Sequence, residues 1–429
     1  MIQVQDIRGK ALEPVINRSQ LEYKDELESV KKIIEAVCKN GDAALFDYTQ
    51  KFDKILWDSE TVQVSKTEIE SAYAAVSGEL LSALRRAAKN ILAYHEKQLR
   101  ITWLDIQPGR ALGQLVRPLQ RVGVYVPGGT AAYPSTVLMN TLPAKAAGVE
   151  EVVMVTPPYP DGSLPPLTLV AAAEAGVDRI FKIGGAQAVA ALAFGTQSVP
   201  RVDKIVGPGN IYVALAKREV FGHVGIDMIA GPSEIVVVAD ASAKAHFVAA
   251  DMLSQAEHDT MASAMLITDC EALAKDVCAQ LEAQLEKLPR ADIARASVDG
   301  HGRVFIVEDM RRAVELANHI APEHLELAVS DPHALLGYVK NAGAVFLGHY
   351  APEPLGDYYA GPNHVLPTSG TARFFSPLGV DQFIKMSSII DYSKEALEGA
   401  WRDIDMLAQA EGLDAHAGAV RIRFEREDG

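Results

Sequence analysis

"RVGVYVPGGTAAYPSTVLMNTLPAKAAGVEEVVMVTPP", residues 121–158, sets two short β-branched runs on either side of an Ala-rich stretch. Runs this short and this apolar read as strands buried on both faces, and the stretch between them as a crossover helix, which makes the segment a βαβ unit of a parallel sheet. The alternation continues through "DRIFKIGGAQ" (178–187), "VDKIVGPGN" (202–210) and "SEIVVVADAS" (233–242). It resumes in "AMLITD", "GRVFIVED", "HLELAVSD" and "GAVFLG" between residues 264 and 348. That is too many strands for one compact sheet, so two α/β domains with helices on both faces are predicted. Before residue 100 the pattern is helical instead: residues 26–53 and 77–100 repeat apolar positions at three- and four-residue spacing. The tail predicts a helix over roughly residues 394–411 and, in "AVRIRFE" (419–425), a last strand.

The chain has 429 residues, 48% apolar and 23% charged, which is ordinary for a soluble globular protein and excludes disordered and fibrous classes. Its formal charge of −15, from 56 acids against 41 bases without a basic cluster, makes nucleic acid and anionic membranes poor partners. The N-terminus lacks a basic segment followed by an apolar core, and no apolar run reaches membrane-spanning length, so a cytoplasmic location is expected. Cys38, Cys270 and Cys278 form no CxxC pair, which argues against a disulfide framework and a thiol nucleophile.

Three strand-to-helix junctions are glycine-rich: Gly128-Gly129, Gly184-Gly185 and Gly207-Pro208-Gly209-Asn210. Such turns admit a ligand close to the backbone, and the helix N-terminus that follows suits a phosphate. Each alone is equally a turn that needs positive φ; three within about 80 residues suggest a nucleotide, although neither GxGxxG nor the Walker lysine occurs.

Ten of the eleven histidines fall after residue 220, which puts imidazole chemistry in the second half. In "LSQAEHD", Gln255 and His258 share one helix face; alone, such a pair is usually solvated. With Asp357 of "LGDYYAGPNH" and His416 of "EGLDAH" they would make an N/O set compatible with zinc, although spacing does not establish that grouping. In "APEHLEL" (321–327), Glu323 and His324 stand side by side and, on extended backbone, project in opposite directions. They could serve two reacting atoms, or be two exposed residues of a helix-to-strand turn. "AGPSEIVVV" reads first as a strand-entry turn.

An ordered series spanning about residues 20–425, including "VGVYVPGG", "GGAQAVAALAFGT", "DMLSQAEHD", "APEHLEL", "GDYYAGPNHVLPT", "SGTARFFSPL" and "AEGLDAHAGAV", resembles the histidinol dehydrogenase family. The resemblance implies an α/β fold of two degenerate Rossmann-like parallel-sheet domains with small N- and C-terminal segments. The boundaries it suggests are an N-terminal segment 1–20, a first domain of 21–125 with 233–378 carrying the zinc and catalytic residues, a second domain 126–232 carrying the cofactor turns, and a C-terminal segment 379–429. It implies oxidation of L-histidinol through the aldehyde to L-histidine with two NAD+, and one Zn2+ per active site on Gln255, His258, Asp357 and His416. Glu323 and His324 become the catalytic pair, His324 as general base and Glu323 activating water. Ser233, His364 and Glu411 would line the substrate pocket with these groups, and Tyr125, Gln187 and Asn210 would contact NAD. The family's intertwined homodimer would let the C-terminal segment complete the neighbour's site. Rival readings are a dehydrogenase of the same scaffold acting on another small alcohol such as a sulfonated diol, a zinc hydrolase, and a non-catalytic nucleotide-binding protein.

Overall fold

The computed structural model describes residues 2–12, 23–128, 132–229 and 231–425. Its strands, in chain order, are β1 (Gln3–Asp6), β2 (Trp103–Gln107), β3 (Arg110–Pro118), β4 (Arg121–Tyr125), β5 (Glu151–Val155), β6 (Arg179–Phe181), β7 (Lys204–Val206), β8 (Gly225–Ile226), β9 (Glu234–Ala239), β10 (Ser263–Thr268), β11 (Arg303–Ile306), β12 (His324–Ala328), β13 (Ala344–Leu347) and β14 (Ile384–Tyr392). The chain divides into two compact units, residues 1–98 with 119–383 and residues 99–118 with 384–429.

The larger unit holds two parallel sheets. One runs β6-β5-β4-β7-β8, the other β1-β11-β10-β9-β12-β13. Counted from its own first strand, each sheet has the order 3-2-1-4-5 of a doubly wound dinucleotide-binding sheet, with β1 added to the edge of the second by pairing Gln3–Asp6 with Arg303–Ile306. The α/β reading of the sequence is the architecture found.

Both faces of each sheet are covered, which is why the strands read as unbroken apolar runs. On the five-stranded sheet, Val122, Val124, Val152 and Met154 pack against helices Lys66–Ala75, Gly78–Glu96, Pro134–Ala147 and Pro166–Ala175. Tyr125, Val153 and Val155 pack on the opposite face against helices Lys24–Asn40, Asp42–Asp53, Gly185–Phe194 and Ile211–Val220. The helices at 24–96 and strand β4 thus build the cores of the cofactor-turn sheet, whereas the expected boundaries grouped residues 21–125 with 233–378. The apolar face of an amphipathic helix does not state which sheet it covers. Of the expected N-terminal segment, Gln3–Asp6 is a strand of the six-stranded sheet, and residues 13–20 lie outside the described residues.

The smaller unit contains an antiparallel sheet, β14-β3-β2, and the helices Lys394–Glu398, Trp401–Ala410 and Asp414–Arg421. The helix expected over 394–411 is therefore broken, at Gly399 and Ala400. The expected last strand over 419–425 is corrected: residues through Arg421 are helical and the rest turns, with Phe424 stacked on Trp401 at 5.7 Å between ring centroids. Val420, Ile422 and Phe424 alternate as in a strand, but among the described residues no strand pairs with them, and the aromatic contact packs against the turn.

Candidate active site

Strand β12 is buried along its whole length between β9 and β13. Side chains alternate across it, so Leu325 and Leu327 enter the core on one face while His324 and Glu326 point to the other, toward helix Ala245–Ala256. That helix buries Val248, Ala249, Met252, Leu253 and Ala256, and Gln255 sits among these core positions with no exposed surface. Neither atom of its side-chain amide has a hydrogen-bond partner. Three residues on, exposed His258 donates its backbone N–H to the Gln255 carbonyl at 3.2 Å.

Glu323 is reached through an unusual turn. Helix Met310–Ile320 ends on Ala321 with φ +52°, a left-handed conformation that costs a non-glycine residue about 1 kcal/mol or more. Glu323 lies in a bend ahead of β12 rather than on the extended backbone expected, and the two side chains do not diverge. Both close on Glu234: Glu323 Oε2 accepts its N–H at 2.9 Å, His324 Nδ1 lies 3.1 Å from its carbonyl, and Oε2 and Nδ1 are 3.6 Å apart. The carbonyl can only accept, so Nδ1 carries the proton and Nε2 keeps its lone pair. Nε2 faces Asp357 Oδ1 at 3.9 Å and Glu353 Oε1 at 4.0 Å.

Asp357 and Glu353 lie one turn apart on helix Glu353–Tyr358. Glu326 Oε1 accepts the Glu353 N–H at 2.8 Å, and the Ser254 hydroxyl donates to Glu353 Oε2 at 3.0 Å, leaving buried Oε1 unpartnered. His364 Nδ1 lies 3.2 Å from the Asp357 carbonyl. Ligand atoms of His258, Glu353 and Asp357 fall within 4.8 Å of one another.

The electrostatics follow from burial. It pushes Glu323 well above the usual carboxylate range, and with Asp357 alongside pushes Glu353 up to about 8; Asp357 rises to about 6. Desolvation, with His258 nearby, brings His324 down to about 3 and His364 to about 4, so both rings are neutral. Carboxyl groups packed behind an unbonded amide and an exposed imidazole suit a divalent cation, and the donor set is the mixed N/O kind that zinc accepts.

The larger unit thus brings together His258, Glu323, His324, Asp357 and His364, and buries Gln255 one turn before His258 at the end of helix Ala245–Ala256. Ser233 immediately precedes Glu234, the residue on which the pair closes. Glu411 and His416 belong to the smaller unit, at the end of helix Trp401–Ala410 and within helix Asp414–Arg421, and both are exposed. Glu353 escapes the sequence reading; its signal was the four-residue spacing to Asp357.

The cofactor candidates lie on the five-stranded sheet, whose order reverses between β4 and β7, the place where such sheets take dinucleotides. Tyr125 ends β4, and its hydroxyl accepts the Gly185 N–H at 3.0 Å. Gln187 lies in the first turn of helix Gly185–Phe194, its amide oxygen buried and unpartnered. Asn210 caps helix Ile211–Val220 by accepting the Val213 N–H. Gly129 of the first glycine pair lies outside the described residues.

The family model for histidinol dehydrogenase matches residues 16–424. A histidinol dehydrogenase of Bacillus thuringiensis subsp. konkukian is 59% identical over 401 residues, 93% of each chain. One from Caldanaerobacter subterraneus subsp. tengcongensis is 56% identical over 408 residues, 95% of each. The crystal structure of histidinol dehydrogenase from Elizabethkingia anophelis superposes with a TM-score of 0.94 at 37% identity, covering 98% of both chains.

Proposed function

The chain belongs to the histidinol dehydrogenase family and is an NAD-dependent oxidoreductase of histidine biosynthesis; on that premise we propose that it oxidises L-histidinol through L-histidinal to L-histidine with two NAD+. The observation that carries the reading is Gln255: a fully buried amide with no hydrogen-bond partner, one turn before His258, whose ring groups with Glu353 and Asp357, has the chemistry of a metal ligand. Zn2+ would be held by Gln255, His258 and Asp357, with His416 supplied by a second copy of the chain. Bound there it would supply a Lewis acid that fixes the substrate's nitrogens. NAD+, held by Tyr125, Gln187 and Asn210, would supply the hydride acceptor.

The protein's own groups move the protons. His324 enters neutral, oriented by its Nδ1 contact to Glu234, and takes the alcohol proton on Nε2; the Asp357 carboxylate 3.9 Å away then stabilises the imidazolium. The aldehyde is oxidised as its hydrate, since hydride leaves only from a tetrahedral carbon. Glu323, made more basic by burial and steadied by the Glu234 N–H, deprotonates the water that forms it. Ser233 and His364, with Glu411 supplied by a second copy of the chain, would complete the substrate pocket.

The homodimer is supported by the smaller unit, which exposes Ile101, Trp103, Ile106, Ile390, Met406, Leu407 and Ile422, large apolar side chains of the kind that a partner surface covers. Among the described residues no helix is long and apolar enough to cross a membrane, and the same reading assigns the enzyme to the cytoplasm. The test is absorbance at 340 nm with limiting L-histidinol and excess NAD+. Two NADH per histidinol, abolished by chelation and restored by Zn2+, is the expected result. Turnover of another small alcohol but not of histidinol overturns the substrate, and turnover that survives complete removal of metal overturns the zinc site.

A further inference from the structure

We infer that Lys217 and Asp227 form a buried clamp that holds the Gly207–Asn210 turn in the shape that receives the dinucleotide, an inference that rests on the cofactor site proposed above. The turn leaves β7 and enters helix Ile211–Val220. Gly207 has φ +111°, and a Cβ there would lie 2.1 Å from the Tyr125 carbonyl oxygen, so the backbone has room for glycine alone. The pairing of β4 with β7 ends at Val124 and Val206, which leaves both polar groups of Gly207 outside the ladder. Two charged side chains take them. The N–H donates to Asp227 Oδ2 at 2.8 Å, and the carbonyl accepts from Lys217 Nζ at 2.9 Å. Lys217 and Asp227 also pair directly, and Asp227 Oδ1 accepts the Met228 N–H at 2.6 Å.

These side chains are 4% and 1% exposed. A buried ion pair adds little net stability, because desolvation consumes most of the attraction and apolar residues of similar volume often serve as well; what it does supply is fixed geometry. Here that geometry ties together three points: the carboxyl end of β7, a position two turns into the helix capped by Asn210, and the chain just past β8. Lys204 also faces Asp227, and its Nζ is held by Gln382 Oε1 at 2.8 Å. Replacing the pair by apolar residues leaves Gly207 with two unpaired groups and frees the turn to relax. Lys217 and Asp227 are positioning residues, acting through backbone that meets the cofactor.

The test uses the full-length, zinc-loaded protein. Lys217→Met/Asp227→Leu keeps the volume and removes the clamp. KM for NAD+ and the Kd for NADH, read by fluorescence, should rise about tenfold or more, while KM for L-histidinol and zinc per chain stay within about twofold. Should that variant fail to fold, Asp227→Asn, which keeps shape and one acceptor, should move NAD+ KM in the same direction by less. A lower Tm with unchanged NAD+ constants overturns the clamp, because a purely structural pair would give that pattern. Asn210→Ala in the parent separates the two ideas. If it raises NAD+ KM and the clamp variants do not, the clamp alone falls; if it too leaves NAD+ KM unchanged, the cofactor lies elsewhere and the clamp falls with the site.

Discussion

Replacing Gln255 with Leu should stabilise the metal-free protein while weakening its hold on zinc. The side chain is fully buried in the last turn of helix Ala245–Ala256, and neither amide atom has a hydrogen bond. A buried polar group without a partner costs about 1–3 kcal/mol, Leu is close in volume, and the two residues have nearly equal helix propensity. Counting one such group, metal-free Gln255→Leu should gain about 1–3 kcal/mol. Zinc acts in the opposite direction. At a hundred times its Kd the ion adds about 2.7 kcal/mol to the parent. Loss of a direct ligand should weaken binding at least as much as loss of an outer-shell partner, about 10–100-fold, and so remove about 1.3–2.3 kcal/mol of that gain at the same zinc concentration. The assay is thermal unfolding of both proteins in chelator and in a Zn2+ series. The variant should melt higher in chelator and show the smaller zinc-induced rise. Lower melting in chelator would mean the amide already has partners, and an equal zinc-induced rise would mean Gln255 is not a ligand; either result refutes the reasoning.

Glu323→Gln should lower oxidation of histidinal far more than oxidation of histidinol, by about 10²–10⁴, and accumulate aldehyde detectable with a carbonyl trap; equal loss in both halves would remove Glu323 from hydrate formation. Inactive His324→Ala and His416→Ala chains, unfolded and refolded together, should recover about a quarter of parental activity, since half the dimers are hybrids and each hybrid has one intact site; no recovery means each chain completes its own site. Burial lowers the pKa of His95 below its unfolded value of 6.5, so the unfolded state takes the proton first and stability is lost as pH falls below about 6.5. Tm measured from pH 7.5 to 5 should fall more steeply in the parent than in His95→Gln, a comparison that separates this group from the buried carboxyls, which act in the opposite direction. Identical slopes would exclude it.

Much of the site was visible as residue types in order, but its assembly was not. Glutamine and histidine three apart on a helix are usually solvated, and only the packing of Val248, Met252 and Leu253 turns Gln255 inward. Glu353 joins the site because Glu326, itself on the inward face of β12, captures its N–H. Helices 24–96 were recognisable as amphipathic, yet their assignment to the five-stranded sheet depends on partners more than a hundred residues away in the case of helices Gly185–Phe194 and Ile211–Val220. Strands β2, β3 and β14 went unread because β3 pairs with a segment in the distant tail, and half-exposed edges carry weak patterns.

By itself the sequence determined the local quantities: strands buried on both faces from unbroken β-branched runs, glycine where the backbone turns sharply, and a family signature running nearly end to end. Tertiary structure decided everything that depends on direction in space. The bend that follows left-handed Ala321 sets Glu323 on Glu234 beside His324, and burial, set by all the surrounding elements at once, moves one group up and the other down in pKa. A side chain's chemistry is written in its residue type, but its protonation and its partners are fixed by a field and a packing to which most contributors are remote in sequence.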